Sequence, residues 1–217
     1  MTEERKISGA VMRRLPRYYR YLGNLLKNDT RRISSKALAK IMNITASQIR
    51  QDLSHFGCFG QQGFGYDVDF LYKEIQKILT LDKLHRMIII GCGNLGQALA
   101  NYSGFGGDDF KVLAAFDKNP DYFGKIIGGI EILDVETLPS FITENVIDIA
   151  ILTVPTANAK KMARILADNG VKAIWNLSNT ELDIPDTKGV IVQNTHLTDE
   201  LMTLCYKLSR EVASTNT

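Results

Sequence analysis

Residues 87–96 read Met-Ile-Ile-Ile-Gly-Cys-Gly-Asn-Leu-Gly, a short apolar run passing directly into G-x-G-x-x-G. The run behaves as a buried strand, and the three glycines do different jobs. Gly91 permits a tight turn, Gly93 lets a pyrophosphate approach the backbone, and Gly96 lets the next helix pack closely. That helix opens with free N–H groups and the positive end of its dipole. The glycine pattern alone is weak, since a helix-packing cluster also produces it. Here it follows a strand, and a second strand over 112–116 ends in Asp117. An acid about twenty residues past the glycines binds an adenosine ribose 2′-OH. It also repels a 2′-phosphate, so NAD(H) is expected over NADP(H). Cys92, Asn94 and Leu95 complete the candidate loop, with Cys92 expected to be a small buried filler rather than an oxidation-sensitive thiol.

After residue 87, strand and helix signals alternate, the pattern of a parallel sheet covered by helices. Strands are expected at 87–90, 112–116, 130–133, 147–154, 173–177 and 190–193, and helices at 94–102, 138–145 and 158–168. Thr153, Val154 and Pro155 close one strand, and Asn176 with Ser178 ends another, at the rim where ligands of open α/β sheets bind. This domain uses the chain to about residue 195, leaving no room for a substrate domain. His196 is the sole histidine beyond residue 86, and no carboxylate pair or Ser/Lys constellation suggests proton transfer. A small NAD-dependent oxidoreductase is therefore the lesser alternative to a non-enzyme.

Charge divides the chain. Residues 1–86 carry 16 Lys and Arg against 8 Asp and Glu, and residues 87–217 carry 10 against 16. A basic half beside an acidic one suggests a polyanion partner for the first half only, although a solvated basic face would look similar. The charged N-terminus and the lack of a long apolar run predict neither signal peptide nor membrane span. Three scattered cysteines, Cys58, Cys92 and Cys205, show no metal-ligand spacing, so no metal and a reducing cytoplasm are expected.

The basic half reads as helices. One is expected from Leu15-Pro16, with Leu22, Leu25 and Leu26 at helical spacing and the proline in the first turn. A second follows Ser34 or Ser35, either of which suits an N-cap, and a third starts at Thr45, with Gln48 completing a capping box. Two short helices joined at Asn43-Ile44 form a helix-turn-helix, with Ala46, Ser47, Gln48, Arg50 and Gln51 facing outward. The glycine–aromatic alternation from Phe56 to Tyr66 reads as a hairpin, the wing of a winged helix. Another amphipathic helix begins after Asp67. At the far end, Leu197, Leu201, Leu204 and Leu208 share one face of a terminal helix, fit to pack on its own domain or on a second subunit.

At Arg13-Arg14-Leu15-Pro16, Arg32-Ile33-Ser34-Ser35, Gln48-Ile49-Arg50, Gly91–Gly96, Phe116-Asp117, Thr153-Val154-Pro155 and Gly170-Val171-Lys172 the chain closely resembles the Rex family of bacterial redox-sensing repressors. The resemblance implies an α/β protein: a winged helix-turn-helix domain at 1–84, a Rossmann-type NAD(H)-binding domain at 85–195, and a dimerisation helix at 196–217, swapped between subunits of a homodimer. It implies repression at palindromic operator DNA when NAD⁺ is abundant and release by NADH. By position it assigns Gly91, Gly93, Asn94, Leu95 and Gly96 to the pyrophosphate and Asp117 to the ribose. Tyr102 and Asn176 fall near the nicotinamide, and Thr153, Val154 and Pro155 line the cleft. Implied DNA contacts are Arg14, Arg17, Arg20, Arg32, Ser34, Ser35, Lys36, Ala46, Ser47, Gln48, Arg50, Gln51 and Gln62. Gln51 and Gln62 stand where many members carry a cation, which implies a weaker salt dependence. A DNA-binding regulator of another nucleotide is the remaining alternative.

Overall fold

The computed structural model describes residues 8–54, 60–61, 65–105, 109–183 and 189–215, with side chains of 60–61 and 211–215 left out. The chain divides into two compact units, Met1–Lys83 and Leu84–Thr217.

In the first unit, helix α1 spans Gly9–Lys27 and is capped by Ser8, whose hydroxyl accepts from the Val11 N–H. It starts a turn and a half before the expected Leu15-Pro16, and Pro16 lies inside it. The reason is a buried stripe, Val11, Leu15, Tyr18 and Leu22, at helical spacing. Each buried aliphatic contributes about 1.5–3 kcal/mol, which together outweighs the roughly 3 kcal/mol cost of an interior proline. Helices α2 (Ser35–Met42) and α3 (Ala46–Ser54) follow. Ser34 is the α2 cap, accepting from Ala37 N–H at 3.0 Å. Asn43 ends α2 with φ of 53°, a left-handed turn that asparagine tolerates, and so sets the angle between the two helices. Strand β1 (Arg32–Ile33), absent from the sequence expectations, pairs with β3 (Gly65–Asp67), which also pairs with β2 (Gly60–Gln61). The β2–β3 pairing is the described part of the wing. Residues 55–59 and 62–64, with Cys58 and Gln62, lie outside the described residues. Asp67 caps α4 (Val68–Ile78), which packs on α1, where Tyr19 and Tyr72 stack with centroids 4.4 Å apart.

The second unit is built on β4 (His85–Ile90), β5 (Phe110–Asp117), β6 (Ile126–Ile127), β7 (Ile130–Asp134), β8 (Ile149–Leu152), β9 (Ala173–Asn176) and β10 (Ile191–Asn194). Their order is β10-β9-β8-β4-β5-β7-β6, parallel except for the short β6 hairpin edge. Leaving out β6, this is the doubly wound order in which the chain leaves the central strand first one way and then the other. Helices α5 (Asn94–Ala100), α6 (Leu138–Glu144) and α7 (Thr156–Asp168) make crossovers. Ile88, Ile90, Ala150, Leu152 and Phe116 form one buried layer, and Met87, Ile89, Ala115 and Ile151 the layer on the other face, as strand alternation requires. Strand β8 is shorter than the expected 147–154, because Val154 and Pro155 leave the sheet.

Helix α8 (Leu197–Thr215) closes the chain. Every residue from Leu197 to Arg210 is exposed, Leu201 and Leu208 at 61% each, so its apolar stripe does not pack on its own domain. Among the described residues no helix is long and apolar enough to cross a membrane, and no three metal-binding side chains cluster.

Candidate nucleotide cleft and DNA-binding face

A cleft of about 690 Å³ opens across the C-terminal ends of the parallel strands, on both sides of β4 where the sheet order reverses. Gly91 and Gly93 from the end of β4, Asp117 to Asn119 from β5, Thr153 to Thr156 from β8 and Leu177 to Asn179 from β9 line it. Such a switch point is where ligands of doubly wound sheets sit.

The glycine loop is built from contacts that only glycine allows. Gly91 has φ of +99°, a region hostile to side chains, and a Cβ on Gly96 would stand 1.9 Å from the Gly91 carbonyl oxygen. A Cβ on Gly93 would meet nothing within 4 Å, so the loop is open to an approaching ligand at that residue alone. Asp117 braces the loop: Oδ2 accepts from the Cys92 N–H at 2.5 Å and Oδ1 from the Asn119 N–H at 2.8 Å. Thr153 Oγ1 donates to the Gly91 carbonyl at 2.7 Å. These features fit a dinucleotide: an open backbone for phosphates, an acid at the ribose position and an apolar wall of Val135, Pro139, Val154, Met162 and Ile165 for a base.

Cys92 enters only through its backbone. Burial, then the Asp117 charge, push its thiol up to about 12, which makes it an inert filler. Asn94 and Leu95 open α5 without lining the cleft. Two expected contacts, Asn176 and Tyr102, are not among the residues lining this cleft. Asn176 is fully buried and spent on its own fold, its Nδ2 donating to Thr180 O and Asn194 Oδ1 and its Oδ1 accepting from the backbone and hydroxyl of Ser178. Through Ser178 it shapes the 177–179 rim. Tyr102 lies past the end of α5, 57% exposed and edge-on to Phe105, in a separate hollow of about 580 Å³. It does not line the main cleft of its own chain. His196 pairs with Glu181 at 3.0 Å, a contact at the surface. Sequence reasoning missed Lys118, Tyr122 and Lys161 in the cleft; Lys118 was signalled only by its place beside Asp117.

In the first unit Ser47, Arg50 and Gln51 of α3 are exposed, as are Arg32, Ser34, Lys36 of α2 and Arg17 and Arg20 of α1. Ser35 and Ala46 are half-buried, and Arg50 Nη1 donates to Ser35 Oγ at 3.4 Å. Arg17 Nη2 donates to the Met42 carbonyl at 2.8 Å, which satisfies the end of α2. Arg14 is half-buried and bonded within its own unit. Its Nε and Nη2 each donate at 2.7 Å to Asp52, a fully buried carboxylate of α3 that Tyr18 and Gln48 also reach. The capping box is half formed for the same reason. Gln48 N–H donates to Thr45 Oγ1 at 3.1 Å, but the Gln48 side chain turns to Asp52.

Burial alone pushes the Asp52 carboxyl up, yet bonds from Arg14, Gln48 and Tyr18 and the Arg14 charge outweigh it and hold the group below its usual range. A carboxylate lowered on folding stabilises fully above the unfolded value of about 3.9 and loses that stabilisation as pH falls through the lower folded value. The expected result is an N-terminal unit whose urea midpoint is flat at neutral pH and drops below about pH 4, with Asp52→Asn flattening that drop.

A winged helix-turn-helix unit joined to a Rossmann-type unit with a dinucleotide-shaped cleft defines a class: nucleotide-linked DNA-binding regulators. Two family models match, "Putative DNA-binding protein N-terminus" over residues 6–54 and "CoA binding domain" over residues 82–180. The chain is 53% identical over 211 residues to the redox-sensing transcriptional repressor Rex of Thermoanaerobacter pseudethanolicus, covering 97% of this chain and 93% of that protein. It is 50% identical to Rex of Clostridioides difficile over 95% and 97% of the two chains. Among solved structures it resembles RSP, a Rex-family repressor, in complex with β-NAD⁺ and operator DNA (TM-score 0.88, 52% identity, 97% of this chain and 96% of that one). It also resembles RSP with β-NADH (TM-score 0.87, 49% identity, 97% and 98% covered). The chain belongs to the Rex family of redox-sensing transcriptional repressors, which are regulators and not enzymes.

Proposed function

We propose that this protein acts in the cytoplasm as a homodimer that binds palindromic operator DNA and leaves it when NADH replaces NAD⁺. The observation that carries this reading is one alignment spanning both units at about half identity, to a repressor solved with β-NAD⁺ and operator DNA and with β-NADH. Residues 1–84 bind DNA, 85–195 bind the coenzyme and 196–217 make the dimer. In the cleft, Gly91, Gly93 and Gly96 form the pyrophosphate cradle, Asp117 receives the ribose hydroxyl and excludes a 2′-phosphate, and Thr153 to Pro155 wall the site. Ser47, Arg50 and Gln51 face the major groove, with Lys36, Arg17 and Arg20 toward phosphates.

Redox state acts only through differential affinity, because a coenzyme bound equally in both arrangements shifts nothing. Couplings of this kind change affinity by about 5–150-fold. Operator titrations in saturating NAD⁺ and in saturating NADH are expected to differ by that factor, NADH weaker. Equal affinities end the sensor reading. The exposed stripe on α8 supports the dimer, since a monomer would leave Leu201, Met202, Leu204 and Leu208 in water. Leu201→Lys with Leu208→Lys is expected to halve the mass measured by light scattering. A variant still dimeric would assign the interface elsewhere.

A further inference from the structure

Asn176 is the last residue of β9, fully buried, and its side-chain amide has no bonding capacity left. Oδ1 accepts twice from Ser178, from its N–H at 3.0 Å and from its hydroxyl. Both N–H groups of Nδ2 are used, one on the Thr180 carbonyl at 2.7 Å and one on Asn194 Oδ1 at 2.8 Å. A backbone N–H only donates and a backbone carbonyl only accepts, so Ser178 and Thr180 fix which way the amide points. Its two ends reach different places. Leu177, Ser178 and Asn179 line the cleft. Asn194 is the last residue of β10, paired in parallel register with Asn176, and α8 begins shortly after it at Leu197. Between them, the Thr195 N–H donates to the Asn176 carbonyl at 2.9 Å, and the Trp175 indole N–H donates to Thr195 Oγ1 at 3.1 Å. The root of α8 is thus held on the strand end that carries the cleft rim.

A dinucleotide with its ribose at Asp117 beyond β5 and its pyrophosphate on the β4 loop runs its other half toward β8 and β9. The nicotinamide, where NAD⁺ and NADH differ, then falls against the 177–179 rim. We infer that Asn176 is a positioning residue of the redox response, its amide joining the cleft rim at Ser178 to the root of α8 at Asn194, so that a shift of the rim is passed to the helix of the dimer interface. The inference rests on the coenzyme and dimer readings above. The physical reason is saturation. A buried amide with every donor and acceptor engaged cannot follow Ser178 without moving Asn194 or leaving a polar group unpaired, and the second is strongly unfavourable.

The test uses the full-length protein and one palindromic duplex, enriched by the wild type from a randomised pool in NAD⁺. Affinity for that duplex is measured in saturating NAD⁺ and in saturating NADH, and wild type should show the two about 5–150-fold apart. Asn194→Ala removes the acceptor that Asn176 reaches on β10. It should bring the ratio to about one, because a coenzyme no longer felt at α8 shifts nothing, in a protein still folded by thermal melt, dimeric by light scattering and able to bind both coenzymes by calorimetry. Gln193→Ala, on the same strand with an exposed side chain, should keep the wild-type ratio. A folded, dimeric Asn194→Ala with the wild-type ratio overturns the inference, and so does a Gln193→Ala that loses the ratio as well. Where Asn194→Ala fails to fold, pair or bind coenzyme, Ser178→Ala decides from the rim side by removing the hydroxyl bond: a reduced ratio upholds the inference and an unchanged one overturns it. If wild type itself binds the duplex equally in both coenzymes, the coenzyme reading fails, and the inference with it.

Discussion

Gly96→Ala is expected to abolish coenzyme binding. Its Cβ would stand 1.9 Å from the Gly91 carbonyl oxygen and 3.1 Å from Thr153 Oγ1. The first obstacle is backbone, so no rotamer relieves it, and α5 must move away from the strand end. The carbonyl that moves is the one Thr153 holds, in a loop that Asp117 braces through the Cys92 N–H. A loss of at least about a hundredfold in NADH affinity follows, equivalent to about 2.7 kcal/mol, together with a lower melting temperature for the second unit. Gly93→Ala is the contrast. Its Cβ meets no protein atom and its φ of −66° suits alanine, so the unit should keep its melting temperature and lose affinity only because the methyl stands where a pyrophosphate approaches. Calorimetric titration with NADH, paired with thermal melts, separates the two. Wild-type affinity in Gly96→Ala would show that the loop does not cradle the coenzyme.

Arg14→Ala is expected to produce the largest loss of stability in the first unit. Asp52 is fully buried and Arg14 a quarter exposed, so removing the guanidinium leaves a desolvated anion with only Tyr18 and Gln48 as donors. Breaking a buried pair from one side costs about 3–5 kcal/mol, a large part of the roughly 5–15 kcal/mol that holds a small domain together. Two-stage denaturation should show the N-terminal transition moved to lower urea and the C-terminal one in place. Arg14→Met combined with Asp52→Leu should recover most of the loss, since apolar replacement of a whole buried pair is often neutral. An unmoved N-terminal transition in Arg14→Ala would mean that the carboxylate is not buried in solution.

Much of this was visible in the residues. The glycine spacing, the strand before it and Asp117 after it specify a nucleotide cleft locally, because each requirement is met by near neighbours in the chain. The six core strands were found for the same reason: period-2 and period-3.6 patterns are written into contiguous stretches. Short strands such as β1 and β6 were not found, because two residues carry no period, and they exist only where a partner strand accepts them. The early start of α1 was hidden by Pro16, whose local cost is overcome by burial against helices distant in sequence.

Side-chain assignments fared differently. Arg14 and Asn176 carry the chemistry of a DNA contact and a coenzyme contact, and residue type alone cannot separate such a contact from a framework bond. The difference lies in partners 38 and 18 residues away, Asp52 and Asn194. Asp52 is one of two acids, with Asp29, in the basic stretch from Arg5 to Tyr66, and only the folded chain places it, buried, against Arg14. The sequence alone therefore determined the two kinds of unit, the cradle and the sign of the charge on each half. Only the tertiary structure decided which polar groups remain available to a ligand, because availability depends on what else the folded chain brings within hydrogen-bonding distance.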